Sequence, residues 1–288
     1  MNPGCQIEIV ARGDGLALAL GLSEVTRTLS LESGIFAKLF SSHVSLAPEE
    51  ERFFTSVDEI FSWFGHTRPE ISTALRHIGA GHVRSFPFFS GQEYGHAAAY
   101  YLRCIGGTEL LCPSLVIGHE EKQWLDTYWQ KQGWDARSRT LVLHPGSGGR
   151  QKRWDSEGFT RVAQWWASRR NTKILILLGP AEEQEAEDWR FVGQVESSLS
   201  VWQAAALLSR VDMYVGNDSG ASHLAGAVGA RGVVLFGPTQ PHQWRPLGGA
   251  LSVLQNIRYR TEHPDEAGMT LREIPAEEAM AALLRLGA

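Results

Sequence analysis

Asp218, Ser219, Gly220 and His223 lie in residues 213–239, which read M-Y-V-G-N-D-S-G-A-S-H-L-A-G-A-V-G-A-R-G-V-V-L-F-G-P-T. Residues of these types at this spacing suit an anion. An apolar run passes through Gly216-Asn217-Asp218 into a helix of small residues, and Asn217 or Asp218 is placed to cap it. The amides of Ser219 and Gly220 then lie unpaired at the positive end of the helix, a natural phosphate site. Ser219 and His223, four apart, share the helical face above it. Plainer uses exist for each feature: many Gly-rich turns bind nothing, and a histidine in such a helix is more often simply packed and hydrogen-bonded. Position favours the functional use, because open α/β sheets bind ligands at the carboxyl ends of their strands.

A second feature is the loop 145–154, P-G-S-G-G-R-Q-K-R-W. Its glycines let backbone approach an anion, Ser147 offers a hydroxyl, and Arg150, Lys152 and Arg153 bring positive charge. The G-x-x-x-x-G-K-[ST] spacing of a P-loop is absent. A basic loop is usually just a solvated one, but this loop also follows a strand and can converge with Ser219 on one crevice. A third feature is Asp14, where I-E-I-V-A runs into Arg12-Gly13-Asp14-Gly15 and a helix of small and apolar residues. Asp14 suits either a helix cap or a general base in a cleft. The glycine spacing of a dinucleotide fingerprint is not met.

The elements needed to position these residues alternate. In the carboxy-terminal half, strands are predicted at 140–144, 173–178, 193–196, 213–216, 233–236 and 251–255. Helices fall between them at 156–169, from 182 onward, and at 200–209 with Ser200 as cap; a last helix spans 275–286. That alternation predicts a doubly wound parallel sheet. The amino-terminal half is less regular: strands over 43–47 and 83–89, helices over 57–64, 70–78 and 93–104, and an edge segment over 110–117 broken by Pro113. The polar helix 119–132, followed by 133–139, reads as the interdomain connection. The expected division is 1–136 and 137–288.

A chain of 288 residues, 43% hydrophobic, suits one large domain or two of ordinary size, with ample core. Its net charge of −5 argues against a sequence-independent nucleic-acid binder. Three scattered cysteines without metal spacing fit a reducing compartment. With no apolar run of membrane-spanning length and no basic-then-apolar leader, the expected location is cytoplasmic. The ten tryptophans suit core, rim or sugar-stacking positions alike.

Five separated motifs, in order, resemble the family nine glycosyltransferases, the heptosyltransferases of lipopolysaccharide core assembly. They are His144-Pro-Gly-Ser, Lys152-Arg-Trp154, Leu178-Gly-Pro-Ala-Glu182, Gly216-Asn-Asp-Ser-Gly-x-x-His223, and Leu235-Phe-Gly-Pro-Thr239 with Trp244-x-Pro246. The resemblance covers roughly residues 140 to 256, and the Asp14 turn is a weaker sixth match. It implies a GT-B-like α/β fold, two Rossmann-like domains facing across a cleft. The first, shortened domain would hold the acceptor and the second a nucleotide sugar. It implies an inverting, metal-independent transferase without a cofactor, its donor an ADP-activated heptose and its acceptor a lipopolysaccharide-type or other surface glycan. Location at the inner face of the membrane, with peripheral contact at most, is compatible with that.

By the same resemblance, Ser147 and Lys152 contact the diphosphate together with the amides of Ser219 and Gly220. Glu182 binds the nucleoside, Asp218 touches the donor sugar, His223 sits at the diphosphate or orients Ser219, and Asp14 is the general base. Two departures stand out: the loop before Asp14 lacks several residues usual in the family, and Ser219 stands where many members have threonine. They keep open a nucleotide-binding scaffold without catalysis, and an epimerase or hydrolase of the same architecture.

Overall fold

The computed structural model describes residues 5–39, 45–64, 66, 68–79, 81–89, 95–256, 271 and 274–288, and of Asp14 the backbone alone. The chain forms two compact units that divide between Leu110 and Leu111.

In the first unit, strands β1 (Ile7–Ala11) and β2 (Val25–Ser30) pair in parallel through helix α1 (Gly13–Leu20). Helices α2 (Gly34–Lys38) and α3 (Pro48–Thr55) follow, and then a second parallel pair, β3 (Glu59–Ser62) and β4 (His82–Ser85), linked by α4 (Pro69–His77). Helix α5 (Ala97–Cys104) completes the unit. Ile35, Phe36, Leu39, Phe54, Ile71 and Leu75 form its core. Glu50 holds the start of α3, accepting from the amide of Ala47 at 2.7 Å and from Lys38.

The helix predicted over 57–64 is a strand at Glu59–Ser62. Val57, Ile60, Phe61 and Phe64 are spaced as on a helix, but both faces of this strand are covered, which erases the alternation that marks a half-exposed one. Ile60 packs on the core, while Phe61 stacks on Phe86 beneath Arg84. Strand β2, rich in β-branched residues, was not anticipated. The strand expected over 43–47 and the start of the helix expected from 93 lie partly outside the described residues.

The second unit opens with α6 (His119–Lys131), expected to be the connection but integral to this unit. Its buried Leu125, Tyr128 and Trp129 pack it on α9 (Val201–Arg210), where Arg210 lies over the Trp129 ring. The Tyr128 hydroxyl donates to Glu196 at 2.8 Å. The division therefore falls ahead of the expected 136/137 boundary, since aromatic burial ties the helix to the unit that follows it.

The six strands are β5 (Arg139–His144), β6 (Thr172–Leu177), β7 (Gln194–Glu196), β8 (Met213–Asn217), β9 (Arg231–Phe236) and β10 (Ala250–Gln255). They form one parallel sheet in the order β10-β9-β8-β5-β6-β7. Near-continuous apolar runs such as Leu141-Val142-Leu143, fully buried, mark strands covered on both faces. Helices α7 (Ser156–Ala167) and α12 (Ala276–Arg285) pack together over Leu141, Leu143, Val215 and Leu235. Helices α6, α9 and α10 (Gly220–Ala227) are linked in turn through α9, and α10 reaches the other face, where Ser222 meets Tyr214. Short helices α8 (Ala186–Trp189) and α11 (Pro241–Trp244) sit in connections. No helix among the described residues is long and apolar enough to cross a membrane.

Candidate nucleotide-sugar site

Counted from β5, the sheet has the doubly wound order whose direction reverses between its first and fourth strands, here β5 and β8. Loops leaving the carboxyl ends of these two neighbours diverge to opposite sides and leave a crevice. From β5 comes the loop 145–154; from β8 come Asp218, Ser219 and the start of α10. The two features singled out in the sequence are thus brought together, with His144 and Gly216 paired in register.

Asn217, wholly buried, ties the loops to each other. Its amide group donates to the carbonyls of Pro145 (2.8 Å) and Gly146 (3.3 Å), and its Oδ1 accepts from the amide of Trp154 at 3.0 Å. Trp154 is anchored in turn through its indole N–H to the carbonyl of Ile274. The cap of α10 is neither Asn217 nor Asp218 but Ser219, whose hydroxyl accepts from the amide of Ser222. Asn217 is unavailable because its side chain spans the two loops. Asp218 points its carboxylate away from the helix, to Lys152 and Thr239.

Lys152 Nζ and Thr239 Oγ1 both reach Oδ2 of Asp218, at 2.8 and 2.6 Å. The backbone of Asp218 is held too, its amide by the carbonyl of Leu235 and its carbonyl by the hydroxyl of Ser147 at 2.8 Å. Oδ1 has no partner among the described residues and is not sealed from solvent. Lys152, from the loop after β5, is therefore held on the residue that precedes Ser219 in the loop after β8. Ser147 serves as a clamp here, its hydroxyl on Asp218 and its amide on Glu182.

Glu182 is buried at the start of the turn after β6. Its Oε1 takes the guanidinium of Arg153 at 2.6 Å, which also pairs with Glu185. Arg153 is thereby committed to the turn after β6, while Lys152 of the same loop is committed to Asp218 beside the helix N-terminus. Gly146 is required where it stands: a Cβ there would lie 2.6 Å from Oε2 of Glu182. Oε2, like Oδ1 of Asp218, lacks a protein partner among the described residues.

His144 and Tyr214 had no role assigned from sequence. The buried His144 imidazole donates from Nδ1 to the carbonyl of Leu177 at 2.7 Å, since a carbonyl can only accept. Desolvation holds its pKa down to about 4, aided by the charge of Arg153 and only partly opposed by the Leu177 bond. It is a neutral support at pH 7. Tyr214, under α10, donates its hydroxyl hydrogen to Ser222, whose own goes to the carbonyl of Asn217, and burial pushes its phenol up. Gly216 must lack a Cβ, which would strike the Tyr214 hydroxyl. A polar residue at the end of an apolar strand, as His144 is after Leu141-Val142-Leu143, is the signal that could have pointed to the histidine.

His223 is exposed on the first turns of α10, its amide bonded to the carbonyl of Ser219. Gly220 opens the helix, and a Cβ there would meet open space. Asp14 is the second residue of α1, and its side chain lies outside the described residues. Among the described residues no three His, Cys, Asp or Glu side chains gather as a metal site requires.

The profile of glycosyltransferase family 9 (heptosyltransferase) matches residues 113–269. No curated protein sequence matches the chain. In fold, the chain is similar to the family 9 glycosyl transferase of Veillonella parvula, at a TM-score of 0.73 and 18% identity, covering 98% of this chain and 88% of that one. It is also similar to the ADP-heptose lps heptosyltransferase II of E. coli, at 0.69 and 16% identity, covering 99% and 92%. The E. coli heptosyltransferase WaaC, solved with ADP, aligns at 0.66 and 15% identity over 99% and 91%. With the profile spanning more than half of its length and the GT-B-like α/β fold shared, the chain belongs to glycosyltransferase family 9 and is a heptosyltransferase-like glycosyltransferase.

Proposed function

We propose that this enzyme moves a sugar, a heptose, from an ADP-activated donor to a hydroxyl of a lipopolysaccharide-type or other surface glycan, with inversion and without a metal. The observation that carries the reading is Lys152 poised on Asp218 beside the N-terminus of α10. The ammonium and the first amides of that helix, those of Ser219 and Gly220, supply the positive potential a departing pyrophosphate needs. Lys152 thus plays the part a metal ion plays elsewhere. Ser147 joins them by turning its hydroxyl from the Asp218 carbonyl, and His223 flanks the same anion. Oε2 of Glu182 accepts from a ribose hydroxyl, and Oδ1 of Asp218 from a hydroxyl of the donor sugar.

In the transfer step the acceptor oxygen attacks the anomeric carbon while its proton passes to the Asp14 carboxylate. The bond from that carbon to the β-phosphate oxygen breaks, and the electron pair leaves with ADP. Attack opposite to departure inverts the centre. Reaction at the inner face of the membrane suits a glycolipid acceptor.

Calorimetry with ADP, UDP, GDP and their sugars tests the donor, and product analysis with and without acceptor separates transfer from epimerisation or hydrolysis. Expected are a preference for ADP and its heptose, and an Asp14→Ala variant that binds donor but loses transfer by a hundredfold or more. Absence of heat with every nucleotide and nucleotide sugar removes the reading.

A further inference from the structure

We infer that Thr239 is a positioning residue for donor-sugar recognition, acting through Asp218; this rests on the donor site proposed above. Thr239 follows Gly237-Pro238 in the loop after β9, the strand beside β8. Its hydroxyl donates to Oδ2 of Asp218 at 2.6 Å. The loop is fixed from the next strand: Nε2 of Gln255 donates to the carbonyls of Gly237 and Thr239.

Oδ2 has two partners here and Oδ1 none among the described residues. The two partners are not equivalent once a pyrophosphate arrives. A phosphate oxygen competes with Asp218 for the lysine ammonium, since both are anions within reach of one flexible side chain. Thr239 carries no charge and sits in a loop tied to Gln255, so a phosphate draws it less than it draws the ammonium. With Lys152 drawn to the phosphate, the Thr239 hydroxyl alone keeps the carboxylate plane turned so that Oδ1 faces the sugar. Its effect is thus confined to ligands that carry a sugar beyond the second phosphate.

The test compares ADP with ADP-heptose in calorimetry on wild type, Thr239→Val and Thr239→Ser, with thermal melts to establish that each variant is folded. Thr239→Val keeps shape and removes the donor. Expected is a loss of roughly tenfold or more in ADP-heptose affinity, the size of one hydrogen bond to a charged group. ADP affinity should stay within about twofold, and Thr239→Ser should restore the sugar term. Equal losses for ADP and ADP-heptose would mark a merely structural threonine, and unchanged affinity for both would also overturn the assignment. Wild-type protein that binds neither ligand removes the donor site itself, a result distinct from either.

Discussion

Lys152 Nζ rests 2.8 Å from Oδ2 of Asp218, 66 residues further along the chain. The Asp218 side chain is only 6% exposed and that of Lys152 is 30% exposed. The pair stores a cation at the mouth of α10 and balances the charge of a carboxylate buried at the carboxyl ends of the strands. An anion at the helix N-terminus competes with Asp218 for that cation, which gives opposite consequences for the two residues.

Removing the lysine and removing the aspartate charge should therefore differ in sign. Lys152→Ala is expected to weaken ADP binding by at least about tenfold, the loss of a charge-assisted bond. Asp218→Asn keeps the shape and frees the ammonium, so ADP affinity should hold or rise while the affinity for the nucleotide sugar falls. Calorimetry on both variants checks this; an Asp218→Asn protein as impaired toward ADP as Lys152→Ala would contradict it.

Asn217 is expected to matter for folding more than for chemistry. Asn217→Ala strands the carbonyl of Pro145 and the amide of Trp154 without their buried partner. The expected cost is about 3 kcal/mol, from the price of burying such groups unsatisfied. Urea denaturation measures it, and a change below about 1 kcal/mol would mean that water replaces the side chain.

His144 should make the protein acid-sensitive. Its folded pKa, about 4, lies below the ordinary 6.5, so the unfolded chain binds the extra proton first as pH falls. Stability is then constant above about pH 6.5 and declines toward pH 4, by about 3 kcal/mol in all. His144→Asn keeps a donor for the Leu177 carbonyl but does not titrate. Its unfolding free energy should be lower than wild type at pH 7.5, with a shallower slope between pH 6.5 and 4. Identical slopes would assign the acid sensitivity to other groups.

Gly146→Ala puts a Cβ against the Glu182 carboxylate, which is itself committed to Arg153 and to the amide of Ser147. A loss of about 1–3 kcal/mol in stability is expected from the forced shift. Displacement of Glu182 should also weaken nucleotide binding. A thermal melt and a nucleotide titration on the same preparation read the two effects together.

The second unit was legible from the chain because its central strands β5, β8 and β9 are buried on both faces and end at or near glycines. Leu141-Val142-Leu143 and Val233-Val234-Leu235 need no partner information to be read as core strands, and Ser200 announced its helix as a cap, which the structure extends to a capping box with Gln203. The loop 145–154 and the turn 216–220 were visible as separate anion-suited features for the same local reasons. Strand β3 was misread because an apolar spacing of three and four residues fits a helix whenever both faces of a strand are covered.

Which residue pairs with which was decided by the tertiary structure alone. Nothing local distinguishes Arg153, neutralised by Glu182 and Glu185, from Lys152, set on Asp218; adjacent positions in one loop face different neighbours. Likewise Asn217, Asp218 and Ser219 are all competent helix caps by type, and Ser219 takes the role because the other two side chains are claimed by the loop from β5 and by Lys152 and Thr239. Residue type and spacing determined what each segment could do. The strand order, by setting β5 beside β8, determined which of those capacities meet.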